Sequence, residues 1–134
     1  MDLKRIGISS RIMNIDKFDE KRDTISHDWI DFLQKLEILP IIIPNKLKDV
    51  DEYISTLNLD GIILSGGDNI GEFPERDKTE IRIIDYSTRN NIPILGVCRG
   101  MQLINEFFNG KNIKSNNLNH VGKYHNVKVK NSNF

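Results

Sequence analysis

The sequence predicts an α/β chain in which a short parallel sheet carries helices on both faces. Two observations point there. Short, continuously apolar runs, typical of strands buried on both faces, alternate with amphipathic segments of helical period. Two of those runs end abruptly in residues suited to chemistry, at residues 65–69 and at Cys98. Ligands bind at the carboxyl ends of strands in such sheets, so both endings belong to one prospective site.

Residues 5–9 read as the first strand, with Gly7 allowing close backbone approach. Residues 14–23 are dense in charge and read as a solvated loop. Ser26 suits the N-cap of a helix over 27–37, with Trp29, Ile30, Leu33 and Leu36 on one apolar face. Ile41, Ile42 and Ile43, bracketed by Pro40 and Pro44, read as a strand buried on both faces. A short helix over 50–57 turns Val50, Tyr53, Ile54 and Leu57 inward, and Asp60-Gly61 leads into a buried strand at 62–64. The chain then reads as irregular to about Asp77, and as a helix over 79–90 with Ile81, Ile84 and Thr88 on one side. Pro93 opens a strand that ends at Val97. The helix after Cys98 buries Met101, Leu103, Ile104, Phe107 and Phe108 and stops at Asn109-Gly110. Beyond it, 111–119 is rich in asparagine and lysine, and 126–130 alternates as a half-exposed strand would.

Composition removes several function classes. The 134 residues fit one domain, and nineteen basic residues balance nineteen acidic ones. No global field therefore favours nucleic acid or an anionic membrane, and neither is expected as a partner. No apolar run approaches the ~18 residues that span a bilayer. No signal-peptide pattern opens the chain, and the single cysteine excludes an internal disulfide. The expected setting is the cytoplasm.

The organising stretch is Gly96-Val97-Cys98-Arg99-Gly100, which joins an apolar run to an amphipathic segment. This G-x-C-x-G turn is the thiol counterpart of the nucleophile elbow, whose tight turn leaves no room for side chains beside the nucleophile. Such a turn sets the sulfur over a helix N-terminus, whose unpaired N–H groups and partial charge favour the thiolate. Acyl transfer at Cys98 also needs donors for a developing oxyanion. The backbone N–H of Arg99 and that of Gly67, in the facing Gly66-Gly67 loop, suit that task. Gln102, one turn into the helix, can reach back toward a substrate. His27, His120 and His125 are the only histidines, and none stands in a motif that makes it the base. With Cys98 they lack zinc-ligand spacing, so neither a metal nor another cofactor is expected.

Residues 60–67, Asp60-Gly61-Ile62-Ile63-Leu64-Ser65-Gly66-Gly67, and 95–102, Leu95-Gly96-Val97-Cys98-Arg99-Gly100-Met101-Gln102, resemble the class I glutamine amidotransferases. Within them the chain is most similar to the γ-glutamyl hydrolase, peptidase C26-like branch, which includes the γ-glutamyl-γ-aminobutyrate hydrolases. The resemblance covers nearly the whole chain and implies a flavodoxin-like parallel sheet. Asp28-Trp29, Asn119-His120-Val121-Gly122-Lys123 and Asn131-Ser132 are similar to a subgroup containing the γ-glutamyl-CDP-amidate hydrolases of capsule biosynthesis. It implies that Cys98 attacks the γ-carbonyl of glutamine or a γ-glutamyl amide, a small-molecule partner, through a thioester. Gly67 and Arg99 would supply the oxyanion N–H groups, while Gly66 and Gln102 would help bind substrate. These relatives carry the catalytic histidine and its glutamate later, in a Q-x-H-P-E pattern preceded by N-S-x-H. No such pair occurs in 1–134, which therefore read as the N-terminal portion of a single domain with little activity of its own. Its sheet edge would be exposed and open to self-association. The alternative is a non-catalytic γ-glutamyl-binding module. A thiol-active relative of the same topology often has histidine after its cysteine, where Arg99 stands here. A flavin module would need a phosphate loop after Ser9, and none is present.

Overall fold

The computed structural model describes residues 3–116 and 122–130. Among them, β1 (Lys4–Ser9), β4 (Ile38–Ile43), β5 (Gly61–Leu64) and β6 (Ile94–Gly96) form a parallel sheet of order β4-β1-β5-β6. Helices α1 (His27–Lys35), α2 (Val50–Leu57), α3 (Pro74–Arg89) and α4 (Arg99–Phe107) connect or follow these strands. The predicted α/β class is present, with the four strands expected at 5–9, 41–43, 62–64 and 93–97. Because β1 has β4 on one side and β5 on the other, successive crossovers leave it in opposite directions. The carboxyl ends of β1 and β5 therefore flank the crevice where such sheets bind ligands.

Alternation along the strands divides the core. Ile62 and Leu64 face α2, α3 and α4, where they pack with Ile54, Ile83, Ile84 and Leu103. Ile63 and Ile8 face the other way, onto Leu33 of α1. Three helices thus cover one face and α1 alone the other, which explains the first correction. Leu33 is the fully buried residue of α1, Trp29 and Ile30 are half-buried, and Leu36 is exposed. Ser26 does cap α1, accepting from the Asp28 N–H. At the far side of this face Leu95 of β6 is 58% exposed, and β6 pairs only with β5 among the described residues.

Five further expectations are corrected. Residues 14–23 lie not in a loop but mostly in a hairpin of β2 (Arg11–Ile15) and β3 (Glu20–Thr24). Only Ile12 of this hairpin is buried, so no alternating apolar pattern announced it. Ion pairs and hydrogen bonds hold it instead: Lys21 to Glu75, and Asp23 to the backbone and side chain of Asn45. Strand β4 lies at the edge of the sheet, where Ile42 is exposed and Pro40 is accommodated without a missing ladder bond on an inner strand. Helix α3 begins at Pro74, five residues before the predicted start, with proline in its favoured first-turn position. Its buried face holds Ile83 and Ile84, while Ile81 is 41% exposed and Thr88 is exposed too. In α4, Leu103 is buried, Ile104 and Phe107 half-buried, but Met101 and Phe108 exposed. Residues 126–130 form no strand and are exposed.

The α3 assignment has a direct test. Ile83→Ala is expected to cost about 2–5 kcal/mol in urea unfolding, the range for emptying a buried aliphatic site. Ile81→Ala should stay within about 0.5 kcal/mol, as surface changes do. Equal costs would contradict this face of α3.

Candidate active site

The turn after β6 places Cys98 at the N-cap of α4 with φ 52° and ψ −107°. That combination is costly for a residue with a Cβ, so the surrounding backbone must impose it. Val97 N–H donates to the Leu64 carbonyl at 3.0 Å, and Gly100 N–H donates to the Val97 carbonyl at 3.0 Å. Both predicted glycines are required by contact. A Cβ on Gly96 would stand 2.6 Å from the Gly100 carbonyl carbon, and one on Gly100 would overlap the Leu64 carbonyl. The outcome is an exposed thiol raised over the first turn of a helix.

The glycine loop after β5 faces that thiol. A Cβ on Gly66 would lie 3.3 Å from Cys98 Cβ and 3.9 Å from Sγ. Gly67 has φ 79°, and the Arg11 guanidinium occupies the space a side chain would need, 2.8 Å from a built Cβ. Among the described residues neither the Gly67 N–H nor the Arg99 N–H has an acceptor. Gln102 is exposed one turn on; its N–H donates to the Cys98 carbonyl at 3.1 Å, and its side-chain amide has no partner among the described residues. Cys98, Gly66, Gly67 and Arg99 are therefore brought together at the carboxyl ends of β5 and β6. His27 opens α1, His125 lies in the exposed 122–130 stretch, and His120 is outside the described residues. So are Asn119, Val121, Asn131 and Ser132 of the quoted resemblance. No group of acidic, histidine and cysteine side chains among the described residues is arranged to hold a metal ion.

Beneath the loop and the elbow lies a buried ionic cluster that the sequence reading did not single out. Arg76 is wholly buried and donates to three successive carbonyls, Ser65 at 2.9 Å, Gly66 at 3.1 Å and Gly67 at 2.5 Å. It also donates to Asp68 Oδ2 at 2.8 Å and, through Nε, to Glu80 Oε1 at 3.3 Å. Glu80, equally buried, accepts from Ser9 Oγ at 2.6 Å and from the Arg99 guanidinium, which also binds Asp77. Ser9 Oγ in turn accepts the Ser65 N–H at 2.9 Å, across the β1–β5 crevice. Loss of water lowers the Arg76 pKa from its ordinary value despite Asp68 beside it. Burial, followed by repulsion from Arg76, lowers that of Arg99 as well. The available sequence signal was Pro74 as a helix start, followed by Arg76 and Glu80 one turn apart.

For Asp68, burial raises the pKa, but the Ile12 N–H and Arg76 outweigh it and hold the carboxyl below its ordinary value. A carboxyl lowered on folding stabilises above its unfolded pKa, and that stabilisation is lost as pH falls through the folded value. Urea midpoints of the wild type should therefore drop between pH 6 and pH values below ~3.9, the ordinary aspartate pKa. Asp68→Asn should show a smaller drop over the same window. An equal drop in both proteins would remove Asp68 from the acid response.

The parallel sheet, the strained cysteine turn and the opposing glycine loop define a class I glutamine amidotransferase-like chain. Within that class it belongs to the peptidase C26 family, whose profile matches residues 5–133. The γ-glutamyl-CDP-amidate hydrolase of Campylobacter jejuni is 31% identical over 126 residues, covering 89% of this chain and 62% of the relative. Anthranilate synthase component 2 of Cyanophora paradoxa is 38% identical over 112 residues, 81% of this chain and 53% of the relative. One subunit of the glutamine-hydrolysing GMP synthase of Pyrococcus abyssi is 41% identical over 70 residues, 52% of this chain and 34% of the relative. The chain spans about three fifths of the Campylobacter protein and less of the other two. Among the described residues no helix is long and apolar enough to cross a membrane.

Proposed function

We propose that this chain carries the nucleophile half of a γ-glutamyl amide hydrolase or glutamine amidotransferase. The observation that supports it most is the left-handed turn holding Cys98 opposite Gly66. In this reading the Cys98 thiolate attacks the γ-carbonyl carbon and the carbonyl π electrons move to oxygen. The free N–H groups of Gly67 and Arg99 receive that oxyanion. Collapse expels the amine, which takes up a proton from water, and leaves a γ-glutamyl thioester on Cys98. Water then releases glutamate and restores the sulfur. Gly66 leaves room for the acyl group beside the sulfur, and the unpartnered amide of Gln102 holds the glutamyl end.

The sequence holds no Q-x-H-P-E pattern to shuttle the protons, so water must protonate the leaving amine and take the proton of the attacking water, and turnover by residues 1–134 is slow. We read 1–134 as the N-terminal portion of one cytoplasmic domain, and the open edge of β6 as the place where a second copy associates. The 31% identity to the Campylobacter hydrolase makes γ-glutamyl-CDP-amidate the first substrate to test, followed by glutamine.

Acid quenching and intact mass after mixing with each substrate provide the test. One added glutamyl group per chain is the expected result. Saturable binding of substrate with no adduct would replace hydrolysis by a γ-glutamyl-binding module. Neither binding nor adduct would remove the γ-glutamyl reading altogether.

A further inference from the structure

We propose that Arg76 is a positioning residue for acyl transfer at Cys98, aiming the glycine loop, and that Glu80 ties this task to the elbow. The inference deepens the reading above and rests on its oxyanion step. Arg76 donates to the carbonyls of Ser65, Gly66 and Gly67, three consecutive peptide groups of the loop that faces the thiol. In a planar trans peptide the carbonyl of one residue and the N–H of the next point in opposite directions. Drawing the Gly66 carbonyl toward α3 therefore turns the Gly67 N–H away from α3. The same geometry applies to the Gly66 and Asp68 N–H groups, which follow the other two carbonyls. Glycine has no rotameric or steric preference to do this unaided, so the loop needs an external clamp.

Glu80 extends the clamp to the second donor. Its carboxylate takes one bond from Arg76 and another from the Arg99 guanidinium. The Arg99 backbone N–H, at the elbow, likewise has no acceptor among the described residues. Two backbone donors on separate elements are thus each tied to an arginine, and both arginines share one buried carboxylate. Ser9, donating to Glu80 and accepting from Ser65, locks the end of β5 to the same centre. Stability alone is a poor account of this arrangement, because buried ion pairs seldom outperform apolar packing of similar volume. A planar guanidinium spanning three carbonyls is instead a device for orientation, and lysine would not reproduce its fork.

The test separates oxyanion stabilisation from thiol reactivity and uses the full 134-residue chain. Acetylation of Cys98 by p-nitrophenyl acetate passes through an oxyanion, whereas alkylation by iodoacetamide displaces iodide at a saturated carbon and forms none. Arg76→Lys keeps the buried positive charge, and Glu80→Gln keeps the shape of the carboxylate. Relative to wild type, each is expected to slow acetylation by about 100-fold while alkylation stays within about 3-fold, the pattern of a lost oxyanion donor. Cooperative thermal unfolding identifies which variant is folded. Parallel loss of both reactions in a folded variant, or loss of neither, overturns the proposal. Should neither variant fold, the wild type decides: a native ratio of acetylation to alkylation no higher than that of the urea-unfolded chain also overturns it. A raised native ratio that fails to accompany any γ-glutamyl adduct would reject the substrate assignment while leaving the role of Arg76 intact.

Discussion

Cys98→Ala is expected to take up no glutamyl group from γ-glutamyl-CDP-amidate or glutamine under conditions that load the wild type to about one group per chain. The reason is stoichiometric as well as catalytic: this is the only cysteine in the chain, so no second thiol can accept the acyl group. Because residues 1–134 turn over slowly without a His–Glu pair, the adduct and not the rate is the readout. A second readout concerns the φ of 52° that the elbow imposes on this residue. Cys98→Ala keeps the strain because it keeps a Cβ, whereas Cys98→Gly releases it. The glycine variant is expected to be more stable than the alanine variant by about 1 kcal/mol, even though glycine gains more entropy on unfolding. A glutamylated Cys98→Ala chain would sink the nucleophile assignment. A glycine variant less stable than the alanine one would argue against strain at the elbow.

The second large effect is on folding. Gly100→Ala is expected to cost about 3–4 kcal/mol in urea unfolding, and Gly96→Ala a similar amount, because each must push backbone against backbone at a sheet–helix junction. The new methyl at 100 would overlap the Leu64 carbonyl and stand 2.7 Å from Leu64 Cβ, on an inner strand with neighbours on both sides. The one at 96 would meet the Gly100 carbonyl and Met101 N, which belong to the first turn of α4. Neither obstacle is the end of a flexible side chain, so neither can swing aside. Gly71→Ala supplies the contrast. Gly71 has φ 90° but nothing within 4 Å, so only conformational strain is paid and the cost should be about 1 kcal/mol. A Gly100→Ala chain within about 1 kcal/mol of wild type would mean that the helix can retreat from β5, contrary to this packing.

What the sequence determined by itself follows from short-range rules. Apolar runs with sharp ends located the four parallel strands, Ser26 located the start of α1, and residues 50–57 are α2 as predicted. The glycines around Cys98, and the Gly66-Gly67 pair, were readable because a tight turn excludes side chains whatever surrounds it. Tertiary structure decided the rest. The hairpin over residues 11–24 is held by ion pairs and polar bonds to distant residues, and nothing in its own alternation says so. Which isoleucine of α3 is buried depended on a helix start at Pro74 and on the three-helix face it packs into. Above all, Arg76 and Asp77 fell in a stretch that reads as irregular, and Glu80 in a helix where it had no assigned part. They become a cluster under the site only because β5 ends beside them and Arg99 arrives from the elbow. A local pattern can place a nucleophile on its turn. Neutralising a buried charge takes partners brought together across the fold, and Arg99 stands 22 residues from Asp77 and 19 from Glu80 in the chain.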